Sequence, residues 1–124
     1  PDPVICLLDE QKHVTTMGGT MRLGAFPCAL KPGTIASCAY GTKLVYERHR
    51  HRYEFNNAYL RRFREKGMIF AGTCRKNKLV EIIELKNHPF FIATQFHPEF
   101  QSKPFAAHPI FAAFIRSCMV RRKV

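Results

Sequence analysis

The chain has 124 residues, 46% apolar and 23% charged, and its size and balance fit one small globular domain, excluding a disordered tail or a two-domain enzyme. No apolar run reaches the ~18 residues of a membrane-spanning helix, and Pro1-Asp2-Pro3 has neither the basic start nor the apolar core of a signal peptide, so a soluble cytoplasmic protein is expected. Twenty Lys and Arg against nine Asp and Glu leave a net charge of +11, which favours anionic partners such as nucleotides, nucleic acid or acidic protein surfaces.

The chain opens without an initiator Met on the apolar β-type run Val4 to Leu8, and the expectation is that it begins inside a longer protein. Gln11 to Thr16 reads as a polar loop entering Gly18-Gly19, and Thr20 to Gly24 as a short strand closed by glycine. Pro27, Pro32, Gly33 and Gly41 punctuate the next stretch, leaving room for short strands or one helical turn. Lys43 to Phe55 reads as one extended strand. Its period of two sets Glu47, His49, His51, Tyr53 and Phe55 against Arg48, Arg50, Arg52 and Glu54, so that three arginines share a face.

Asn56 or Asn57 caps a predicted helix through Lys66, with the basic residues Arg61, Arg62 and Arg64 outside and Gly67 as its C′ residue. Met68 to Cys74 and Leu79 to Leu85 form a predicted hairpin around Lys76-Asn77, followed by an apolar strand Phe90 to Phe96 that Pro98 ends. From Pro109, the residues Ile110, Phe111, Phe114, Ile115, Cys118 and Met119 recur at helical spacing, ahead of the basic end Arg121 to Lys123. The element order predicts part of an α/β or α+β layer structure.

The residues with most chemical content are Gln95 to Phe100, where His97 and Glu99 flank a proline at a strand end. Pro98 biases His97 toward an extended backbone, so the two side chains project to one side about 7 Å apart at their backbones. A carboxylate there can orient an imidazole, which is the base and orienter half of a catalytic triad; the alternative is a structural histidine at a strand end. No nucleophile completes it. Cys6, Cys28, Cys38, Cys74 and Cys118 all lack the glycine-flanked elbow of a catalytic cysteine. Their odd number, without C-x-x-C or zinc-finger spacing, predicts buried reduced thiols and no metal site.

The arginine face of Glu47 to Glu54 could hold a carboxylate or phosphate through forked hydrogen bonds, or be a solvated edge strand. His49-x-His51 lacks a nearby third metal ligand. Gly18-Gly19-Thr20-Met21-Arg22-Leu23-Gly24 lacks both the P-loop ending and the dinucleotide spacing.

GGTMRLG at Gly18 to Gly24, ERHRHRYEFN at Glu47 to Asn56 and HPFFIATQFHPEF at His88 to Phe100 occur in one order and spacing that closely resembles the C-terminal part of the glutamine amidotransferase domain of CTP synthases. Leu79 to Glu84, Ser102-Lys103-Pro104 and His108-Pro109 fit as well, so the likeness covers essentially the whole chain. The resemblance implies the C-terminal portion of a flavodoxin-like, three-layer α/β domain of class I, with residues 1–124 forming a partial amidotransferase domain whose nucleophile half and synthetase domain are absent. It implies that Cys, His and Glu release ammonia from glutamine to aminate UTP at the expense of ATP, with Mg2+, under allosteric activation by GTP.

His97 and Glu99 match the catalytic pair and Arg52 the glutamine-binding residue, while Gly18, Gly19, Thr20 and Arg22 match the regulatory loop near the domain junction. The segment itself is expected to bind no cofactor, to be inactive alone, and to pair with the upstream amidotransferase half and synthetase domain of a cytoplasmic homotetramer. Rival readings are another class I amidotransferase or glutamine hydrolase, and a basic nucleic-acid-binding module. The first loses because H-P-E is widely shared whereas GGTMRLG with ERHRHRYE is not; the second has the charge and the Arg61-Arg62-Phe63-Arg64 cluster in its favour, though an exposed helix face is the commoner source of such a cluster, and retention of single-stranded nucleic acid at physiological salt would favour it.

Overall fold

The computed structural model describes residues 2–7, 21–76 and 78–121. Five antiparallel strands form the main sheet in the order β3-β2-β5-β6-β7: β2 Arg22–Leu30, β3 Leu44–His51, β5 Met68–Cys74, β6 Leu79–Leu85 and β7 Ile92–Thr94. A separate antiparallel pair joins β1 Ile5–Leu7 to β4 Tyr53–Phe55. Helices α1 Ile35–Tyr40, α2 Leu60–Glu65 and α3 Pro109–Arg121 complete a mixed α/β architecture. None of the described helices is long and apolar enough to cross a membrane.

Cys28 and Leu30 of β2, Ala71 of β5, Ile82 of β6 and Phe96 meet Ala36 of α1 and Ile110 of α3 in the core. The strands approach closely at Gly72, where a Cβ would sit 2.6 Å from Cys28 Sγ and 2.7 Å from Ile82 Cγ1, so no larger residue fits without displacement. A second cluster docks α2, with Phe55 lying 5.3 Å from Phe63 and 5.4 Å from Phe70 between ring centroids.

Where the deciding signals are local, sequence and structure agree. Asn56 Oδ1 accepts the Ala58 N–H at the start of a 3₁₀ turn, Asn57–Tyr59, that leads into α2, and Gly67 follows its end at φ 91°. The β5–β6 hairpin and α3 from Pro109 also form as expected. Ile110 enters the core, while Phe111, Phe114, Ile115 and Met119 remain exposed along α3.

Three strand boundaries differ from expectation. The strand expected to stop at Gly24 continues through Gly24, at φ 107°, and through Pro27 to Leu30. The N–H of Leu30 donates to Lys43 and that of Lys31 to Ala71, so alternation turns the Pro27 nitrogen toward β5. The β2–β5 ladder reaches only Ala29, and the missing proline donor therefore interrupts no bond. The single strand expected over 43–55 bends at Arg52 and becomes β3 and β4. The last strand spans Ile92–Thr94 rather than 90–96.

Candidate active site

At the end of β7 the chain leaves the core between buried Phe96 and half-exposed His97. The His97 N–H donates to the Arg48 carbonyl at 2.9 Å, pinning this point to β3. Pro98 then starts a 3₁₀ turn, Pro98–Phe100, closed by the Phe100 N–H on the His97 carbonyl at 3.2 Å. In that turn His97 Nδ1 lies 2.7 Å from Glu99 Oε1, and the Phe100 ring stacks on the imidazole at 5.1 Å and 21°. The bond from His97 holds the Glu99 carboxyl below the usual carboxylate range. With Nδ1–H donating to a carboxylate, Nε2 keeps the lone pair and is the basic nitrogen. Proximity of the two side chains, expected from spacing, is thus realised.

The arginines run beside this pair. Arg48 and Arg50 are exposed along β3, an edge strand, and Arg52 sits half-buried at the bend. Gln95 Nε2 donates to the Tyr53 carbonyl at 2.8 Å, so the stretch leading to His97 is tied to the chain on both sides of Arg52, at Arg48 and at Tyr53. Among the described residues no carboxylate pairs with these three arginines. The common arginine face expected over the whole stretch is corrected at the bend. Arg52 leaves the strand, and Glu54, expected beside the arginines, turns inward and is fully buried.

That inward turn completes an ionic network the sequence reading missed. Arg22 Nη2 lies 2.6 Å from Glu81 Oε1 and Nη1 lies 3.3 Å from Glu54 Oε1, with the guanidinium 4.5 Å above the Phe26 ring. His49 Nε2 is 2.6 Å from Glu81 Oε2, and His51 Nε2 is 2.7 Å from Glu54 Oε1. The acids and histidines of ERHRHRYE are therefore internal hydrogen-bond partners, and both histidines spend Nε2 on a carboxylate. A faint signal was present: Glu47, His49 and His51 share one strand parity, the pattern of a polar but buried face. Gly18, Gly19 and Thr20 lie outside the described residues. Arg22, singled out with them, is buried and engaged by two carboxylates.

The cysteines divide by burial. The expectation of buried thiols holds for Cys28 and Cys74 and is corrected for Cys38 and Cys118, which are exposed, with Cys6 between. Burial pushes the Cys28 thiol up to about 12, which makes it a poor nucleophile. None of the five is among the partners found for His97, which are Glu99, the Arg48 carbonyl and the Phe100 ring.

The sequence model described as glutamine amidotransferase class-I matches residues 3–117. The chain belongs to the class I glutamine amidotransferase family. Among similar proteins, the CTP synthase of Aquifex aeolicus (strain VF5) is 59% identical over 119 residues, covering 96% of this chain and 22% of that protein. The CTP synthase of Microcystis aeruginosa is 57% identical, covering 99% of this chain and again 22% of the relative. This amidotransferase chain thus spans about a fifth of the length of the curated relatives it matches. A solved glutaminase domain of Trypanosoma brucei CTPS with bound acivicin superimposes with a TM-score of 0.83 at 33% identity, covering 92% of this chain and 45% of that one. A Thermoplasma acidophilum protein assigned to GMP synthase matches with a TM-score of 0.63 at 20% identity, covering 96% of this chain and 50% of that one, and shares the fold.

Proposed function

We propose that this chain is the base-bearing part of the glutaminase domain of a CTP synthase. The observation that carries the reading is the 2.7 Å contact between His97 Nδ1 and Glu99 Oε1 beside the arginine-bearing strand edge. In this reading Glu99 fixes the tautomer, and His97 Nε2 takes the proton of a cysteine thiol supplied by a part of the domain outside this chain. The thiolate attacks the side-chain amide carbon of glutamine. Protonated His97 returns the proton to the leaving nitrogen, releasing ammonia and leaving a thioester. His97 then deprotonates water, whose attack on the thioester yields glutamate and restores the thiol.

Arg52 would clamp the glutamine α-carboxylate, as its half-buried place at the bend allows. The ammonia would aminate UTP with ATP and Mg2+ in a separate synthetase domain, in a cytoplasmic enzyme. GTP would act near Gly18 to Arg22, but Arg22, already paired with Glu54 and Glu81, is not free to hold a nucleotide.

In the protein that carries this segment with its nucleophile, His97→Ala should abolish glutamine-dependent amination and keep activity with free ammonia. Equal loss of both would refute the role of His97. Arg52→Ala should mainly raise KM for glutamine, at about 2–5 kcal/mol, with poor rescue by Lys. This chain alone should release no ammonia from glutamine.

A further inference from the structure

One carboxylate on β3 fastens the segment that follows the His97–Glu99 pair. Glu47 is 2% exposed. Its Oε1 accepts the Tyr40 hydroxyl at 2.5 Å and lies 2.9 Å from His108 Nε2, while Oε2 accepts Gln101 Nε2 at 2.6 Å. Gln101 follows directly on the turn that bears Glu99, and its amide also donates to the Tyr46 carbonyl at 2.9 Å. His108 is the last residue before α3. Both ends of segment 101–108 therefore meet on Glu47. Between them the His108 N–H donates to Ser102 Oγ at 3.2 Å, and Lys103 bridges Ala106.

Gln101 is itself exposed, yet its amide reaches a backbone carbonyl and a buried carboxylate that α1 and the α3 entry already hold still. Hydrogen bonds to an ionised, immobilised acceptor are the stronger kind. The turn is consequently anchored twice on β3: before Pro98 by the His97 N–H on Arg48, and after Phe100 by Gln101 on Glu47 and Tyr46. These anchors set where the imidazole stands relative to the arginine edge.

We infer that Gln101 and Glu47 are positioning residues for the His97–Glu99 pair, an inference that rests on the amidotransferase reading above. Glu47 variants risk misfolding, so the test uses Gln101→Met, which keeps length without a donor, and Gln101→Glu, which sets a second carboxylate against Glu47. Both are made in the protein that carries this segment with its nucleophile, with His97→Ala alongside. The expected result is a fall in kcat for glutamine hydrolysis of about tenfold or more, with KM within about twofold. Both variants should stay folded at the assay temperature, with a lower melting temperature because a bond to the buried Glu47 carboxylate is lost, so the fall in kcat at unchanged KM is read on folded protein. If His97→Ala abolishes hydrolysis while both Gln101 variants keep kcat within about twofold, the positioning role is wrong. If His97→Ala leaves hydrolysis intact, the catalytic reading itself fails, and the positioning role with it.

Discussion

Arg22 Nη2 and Glu81 Oε1 face each other across the interior at 2.6 Å, with the arginine side chain 6% exposed and the carboxylate fully buried. Burial opposes the guanidinium charge, but Glu81 and then Glu54 outweigh it and hold the Arg22 pKa above its ordinary value. A charge so placed is worth most through the cost of removing its partner. Arg22→Met should therefore destabilise the fold by about 3–5 kcal/mol, because Glu81 and Glu54 lose their counter-charge. Urea unfolding of the variant at neutral pH checks this, and a midpoint equal to that of the parent would contradict it.

Glu84, on β6, reaches across to the start of α1, where its two oxygens accept the backbone N–H groups of Ile35 and Ala36 at 2.9 and 2.8 Å. Thr34 and Ser37 form a reciprocal capping box at the same end. A carboxylate supplied from a strand thus completes the cap of a helix with no acid in its own first turn. Glu84→Ala should cost about 2 kcal/mol by leaving one buried and one part-buried donor unpaired, and Thr34→Ala about 1 kcal/mol. Thermal unfolding should rank the two in that order; the reverse order would place the main cap in the local box.

Glu47 makes stability depend on pH. Burial pushes its carboxyl up, but the bonds from His108, Tyr40 and Gln101 prevail and hold its pKa below the ordinary value. Between the native and unfolded pKa values the unfolded chain binds the extra proton. The contribution of Glu47 is therefore complete above the ordinary value, about 4.3, and drains away as pH falls through the native one. Glu47→Gln should be less stable at neutral pH and lose less stability on acidification below about pH 4.3. Parallel stability–pH curves for the two proteins would exclude this carboxylate as a source of the dependence.

Cys28 should be chemically silent in the native state, since its fully buried thiol is pushed up to about 12. Exposed Cys38 and Cys118 should be alkylated by iodoacetamide at neutral pH while Cys28 stays protected until denaturant is added. Peptide mass spectrometry resolves the sites, and native-state labelling of Cys28 at the rate of Cys38 would show that the core opens there.

The features legible in the sequence lie within a few residues of their own signals. The cap at Asn56, the stop at Gly67, the β5–β6 hairpin, the start of α3 at Pro109 and the closeness of His97 to Glu99 all follow from backbone preferences and spacing over one turn or one pleat. Folding settled what depends on residues far apart in the chain. Gly24 and Pro27 read as stops, yet β2 passes through both because β3 pairs along its whole length and β5 pairs only at Ala29 and Leu30. Glu54 reads as solvent-facing by its parity with Arg48 and Arg50, but Arg22, 32 residues earlier, and His51 engage it inside, and the strand bends at Arg52. A buried charge is tolerated only where its partner waits, and that partner is found by folding rather than by neighbourhood in the chain.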